Sequence, residues 1–86
     1  MGIPTGITRA QIEAAARWID ANGLGGFRDG SKFEVQVGGK WYPPKALIGR
    51  AAGLKPGDFS SGEQPGQAVG FLRALEFPCR TKPGRR

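Results

Sequence analysis

Phe33-Glu34-Val35-Gln36-Val37-Gly38-Gly39-Lys40-Trp41-Tyr42-Pro43-Pro44-Lys45 is the stretch from which the fold can be built. Phe33, Val35 and Val37 alternate with Lys32, Glu34 and Gln36, the period of a strand with one buried face. Gly38 and Gly39 tolerate the positive φ of a two-residue hairpin turn, and Lys40-Trp41-Tyr42 resumes in extended form. Pro43 cannot donate to a ladder and ends the second strand, whereas Pro44 suits the first turn of a helix. The spacing predicts a β-hairpin feeding a helix over roughly 44–52, with Leu47, Ile48 and Ala51 inward and Gly53 as its stop.

Upstream, Thr8 and Gln11 have the spacing of a capping box, and Ile12, Ala15, Ala16 and Ile19 fall on one helical face with Trp18 beside it. This predicts a helix over about 9–21, stopped by Asn22-Gly23. Its other side carries Arg9, Glu13, Arg17 and Asp20, a solvated face with a favourable Glu13–Arg17 pair. The glycine-rich run from Asn22 to Ser31 follows a helix and leads into a strand, the reverse of a phosphate-cradling loop, so it reads as a flexible connection. Downstream, Leu54 to Ser61 form a loop anchored by Phe59. A last helix is expected over about 63–75, with Pro65 in its first turn and Val69, Leu72 and Leu75 inward. Phe77 packs beyond it and Pro78 forbids continuation. The expected architecture is α+β in the order α-β-β-α-α, a two-stranded antiparallel hairpin packed against three short helices. Residues 1–7 would form an N-terminal arm, 8–78 the single domain and 79–86 a basic tail.

The 86 residues hold 13 Lys plus Arg against 7 Asp plus Glu, a net +6, with no histidine and a single cysteine, Cys79. Without histidine, and with one thiol, the chain has no Ser-His-Asp or Cys-His apparatus, no zinc site and no HNH centre. No cofactor, metal or enzymatic activity is expected. No apolar run approaches the roughly 18 residues of a membrane span, and no charged segment precedes an apolar one at the N-terminus, so the sequence reads as a soluble cytoplasmic protein. Arg80, Lys82, Arg85 and Arg86 supply four cations and no acid in the last seven residues, which leaves 9 basic against 7 acidic residues before them. Such a tail is either a solubilising end or an arm for a polyanion.

Gly39-Lys40-Trp41-Tyr42-Pro43-Pro44-Lys45-Ala46-Leu47-Ile48-Gly49-Arg50-Ala51, with Phe59-Ser60-Ser61-Gly62-Glu63 and Phe71-Leu72-Arg73-Ala74-Leu75-Glu76-Phe77, resembles the small N-terminal head domain of ScoMcrA-like modification-dependent (type IV) HNH endonucleases. The likeness spans residues 8–78 and is most specific at Tyr-Pro-Pro-Lys. Ser61 and Glu76 depart from the glycines of that pattern. The resemblance implies a module of a restriction or defence system. In larger enzymes this head accompanies modules that recognise phosphorothioated or methylated DNA and a C-terminal nuclease, none of which these residues contain.

A non-catalytic DNA-binding module, contacting the duplex backbone, is the function expected. Lys45 would sit in a first helical turn, where the macrodipole disfavours a cation by about 0.3–1 kcal/mol unless an anion is near. A phosphate would supply one, although Pro43 and Pro44 lack the N–H groups of a good anion cradle. A rigid corner with Lys45 in solvent is the competing reading. Trp41 and Tyr42 point to opposite faces, with Trp41 expected in the core and Tyr42 half-buried, its hydroxyl reaching a phosphate. The candidate interface is Tyr42, Pro43 and Lys45, extended by Arg28, Lys40 and Arg50 and by the tail residues Arg80, Lys82, Arg85 and Arg86. The alternative is a protein-interaction module or accessory subunit that docks a partner such as a nuclease.

Overall fold

The structure, a computed structural model, describes residues 3, 6–27, 32–60, 62–64 and 66–81. Helix α1 runs over Arg9–Asn22, and its start is the expected capping box. The Gln11 N–H donates to Thr8 Oγ1 at 3.3 Å, while the Thr8 N–H donates to the Gln11 side chain at 2.8 Å. Ile12, Ala15, Ala16 and Ile19 are buried, as the 3.6-residue period requires. Strands β1 (Phe33–Val37) and β2 (Lys40–Tyr42) pair antiparallel around Gly38 and Gly39, both at positive φ. Helix α2 (Pro44–Ala52) follows at once, with Leu47 and Ile48 fully buried and a left-handed Gly53 at its end. Ala51 is half-buried rather than interior.

The α+β class stands, and the sheet gains a strand. β3 (Cys79–Thr81) lies antiparallel to β1, giving a three-stranded sheet of order β2-β1-β3. The start of the expected tail is therefore structured. Three residues just after Pro78 carry no periodicity of their own; what recruits them is the open edge of β1, whose N–H and C=O groups would otherwise be unpaired. Within the expected arm, Ile3 and Ile7 are buried in the core, whereas Gly6 is exposed.

The last helix, α3, spans only Ala68–Ala74, not about 63–75. Its first N–H groups are satisfied by the preceding loop instead of another helical turn. Ala68 donates to the Ser60 carbonyl at 2.8 Å, and Val69 and Gly70 donate to the Gly62 carbonyl at 3.1 and 3.2 Å. That loop crosses so closely that a Cβ on Gly70 would lie 2.2 Å from the Gln64 carbonyl oxygen. Pro65, expected in the first turn, lies outside the described residues, as does Ser61. Between α2 and α3, Pro56–Asp58 make one 3-10 turn. Phe59 is buried beyond it, its ring 6.4 Å from that of Phe27.

α3 closes in a Schellman motif: Glu76 N–H donates to the Arg73 carbonyl at 2.8 Å and Phe77 N–H to the Leu72 carbonyl at 3.1 Å. Phe77 is thereby turned into the core. The closing position holds Glu76 at φ 69, the one non-glycine residue with positive φ among the described residues. A side chain there is strained by about 1 kcal/mol. Glu76→Gly is expected to raise unfolding free energy by about 0.5–1 kcal/mol, and Glu76→Val to lower it, in urea melts monitored by circular dichroism.

Candidate nucleic-acid interface

The Tyr-Pro-Pro-Lys corner is a joint packed into the protein. Tyr42 pairs with Val35, so it shares the face that Val35 turns to the helices. It is only 6 % exposed, and its hydroxyl donates to Asp20 Oδ1 on α1 at 2.9 Å. Trp41 is on the open face opposite Gln36, half-buried under the Arg80 guanidinium, which sits 3.8 Å from the ring centre. The expected assignment of the two rings is thus reversed. A two-residue turn makes Val37 and Lys40 partners, then Val35 and Tyr42. That parity was present in the sequence and sends Tyr42 inward.

Pro43 and Pro44 are buried. Lys45, half-buried, donates from Nζ to the Pro56 carbonyl and stands 5.1 Å from the centre of the Phe59 ring. The cation of that first turn is balanced from inside, by a carbonyl dipole and a ring face. Burial, then the hydrogen bond and the charge of Asp20, push the Tyr42 phenol above its ordinary value of 10.0.

The other cations fall into two sets. Lys40 reaches Asp20 Oδ2 at 3.6 Å while remaining 68 % exposed, Arg80 bonds Glu34 at 2.8 Å, and Arg73 bonds Glu63 at 2.9 Å. Arg50 is exposed and lies over the Trp18 ring at 4.2 Å. Arg28, Lys82, Arg85 and Arg86 lie outside the described residues. The candidates do not converge on one point: Lys40 lies beside α1, Arg50 on the α1–α2 face and Arg80 on the open face of the sheet.

Two surface hollows accompany these cations. One, of about 280 Å³, is lined by Glu13, Arg17, Asp20, Lys40, Val37 and Tyr42, a charge-balanced wall. The other, of about 200 Å³, is lined by Trp18, Leu24, Phe27, Arg50 and Leu54 with bare glycine backbone between them. Sequence reasoning missed Trp18 and Phe27 as surface-forming rings. Trp18 stood at the margin of the apolar stripe of α1, and only the α1–α2 packing brings Arg50 onto it. No family model, curated protein or solved structure matches this chain.

Among the described residues no group of three or more His, Cys, Asp or Glu could hold a metal ion, and no helix is long and apolar enough to cross a membrane. Burial pushes the Cys79 thiol up, against the pull of Arg73, and its S–H is held by the Phe77 carbonyl. It is no thiolate nucleophile at neutral pH.

Tyr42→Phe is expected to cost about 0.5–1.5 kcal/mol at neutral pH through loss of the Asp20 hydrogen bond. Above the ordinary value of 10.0 the unfolded chain gives up the phenolic proton while the folded one keeps it, so this group's contribution is lost as pH rises through the raised value. Melts of parent and variant from neutral pH to above pH 10 check this: the stability gap narrows on the alkaline side.

Proposed function

We propose that this domain is a non-catalytic nucleic-acid-binding module that grips the DNA backbone through cations its own acids do not neutralise. One observation carries the reading: the surplus of 13 basic over 7 acidic residues is not consumed by the fold. Asp20, Glu34 and Glu63 are each held in an ion pair, and Asp58 accepts from the Lys55 N–H at 2.9 Å. Arg50 remains on a ring face, and Lys82, Arg85 and Arg86 follow β3 directly in the chain. The Tyr42-to-Lys45 corner serves this surface by fixing the hairpin to α1 and α2. The likeness of residues 39–51, 59–63 and 71–77 to the head domain of modification-dependent endonucleases supports the same class of ligand and a place in a restriction or defence system.

If about four to six phosphates are neutralised, binding to a DNA duplex falls with a log-log salt slope of roughly −4 to −5. Each of Lys82→Ala, Arg85→Ala and Arg86→Ala is expected to flatten that slope by about 1. Lys45→Ala lowers the melting temperature and leaves the slope unchanged. Anisotropy titrations at several salt concentrations measure all of these, and absence of duplex retention at low salt overturns the reading.

A further inference from the structure

The hollow beside Arg50 deepens that reading and rests on it. Two half-buried rings, Trp18 and Phe27, wall it together with Leu24, Leu54 and the backbone of Gly25, Gly49 and Gly53. The rings lie directly on bare backbone. A Cβ on Gly49 would come within 2.1 Å of the Phe27 ring, and one on Gly25, at φ 62, within 3.0 Å of the Trp18 ring. No side chain at either position fits without moving a ring, so the glycines keep both rings seated and leave the cleft open.

Its volume, about 200 Å³, falls below the range of roughly 300–1,000 Å³ that holds drug-sized ligands and suits a single planar ring system. Arg50, exposed and over the Trp18 ring, also lines this hollow and borders a second one of about 240 Å³ with Trp18, Gln11, Ala14 and Ala51. No carboxylate is found among the described residues that line either hollow. A hollow walled by two rings and glycine backbone, with a cation as the one charge among its described lining residues, complements a flat ring joined to an anion.

We propose that the Trp18–Phe27–Arg50 hollow receives one unpaired nucleobase, the ring against the aromatic walls and the adjoining phosphate on Arg50. The domain then holds a single strand by its bases as well as its charge. Stacking of one base contributes roughly 5- to 100-fold in affinity, whereas an electrostatic grip on phosphates alone ignores whether bases are present.

The test uses the unmodified protein and two labelled strands of equal length and phosphate number, oligothymidylate and its fully abasic counterpart, with a random-sequence DNA duplex as reference. The expected result is weaker abasic binding by roughly 5- to 100-fold with an unchanged salt slope, since only the stacked base is removed. In Trp41→Phe protein, the emission of Trp18 is quenched by oligothymidylate and not by the abasic strand. Arg50→Gln, an exposed change, narrows the gap between the strands. Equal affinity for the two strands overturns the base pocket while leaving the backbone reading intact. Failure of every strand and the duplex to bind at low salt overturns both. Saturable quenching by thymidine monophosphate at lower concentrations than by the strand assigns the hollow to a free nucleotide and overturns the strand assignment.

Discussion

The pairing of Val35 with Tyr42 across a two-glycine turn is the constraint on which the rest of the structure depends. Side chains alternate along a strand, so a turn one residue longer or shorter would expose Tyr42 and bury Trp41. With this register the Tyr42 hydroxyl meets Asp20, and a hairpin too small to be stable alone is tied to α1. The next two residues, Pro43 and Pro44, hand the chain to α2 without loose backbone. α2 in turn presents Gly49 to Phe27 and Arg50 to Trp18. The surface argued to meet nucleic acid is thus set by a parity decided on the far side of α1.

Arginine meets aromatic rings repeatedly: Arg9 over Phe77, Arg50 over Trp18 and Arg80 over Trp41, at 4.2, 4.2 and 3.8 Å. In a chain this short, apolar surface cannot all be buried, and a guanidinium laid on a ring covers it while the charge stays in water. The same arrangement orders a flexible cation in advance of any ligand. This lowers the entropy lost when an anion binds.

Hairpin, turn, α1 and its cap, and the Leu47 and Ile48 core were legible because each follows from local periodicity or a terminal signal. Two features were not. β3 forms because β1 has an edge to fill, a property of the assembled sheet that Cys79-Arg80-Thr81 does not carry. α3 starts late because the Ser60 and Gly62 carbonyls occupy its first N–H groups, again a contact made across a loop. At the candidate site the residue types were legible and their roles were not. Lys45 looked like a phosphate ligand because a cation in a first helical turn wants a compensating partner; Pro56 and Phe59, remote in sequence, supply it.

The cations differ in what a phosphate must displace to reach them. Arg80 is bonded to Glu34, whose side chain is only 13 % exposed. Withdrawing Arg80 would strand a half-buried carboxylate, and a buried charge without its partner is costly. Lys40 is so exposed that its pairing with Asp20 contributes little, yet Asp20 stays close enough to repel an incoming anion. Arg50 has neither handicap. Its ring contact is a cation–π interaction of about 0.5–1 kcal/mol at an exposed site, and among the described residues no acid is paired with it. A charge-assisted bond to phosphate would therefore displace no acid from Arg50, which leaves it less hindered than Lys40 or Arg80.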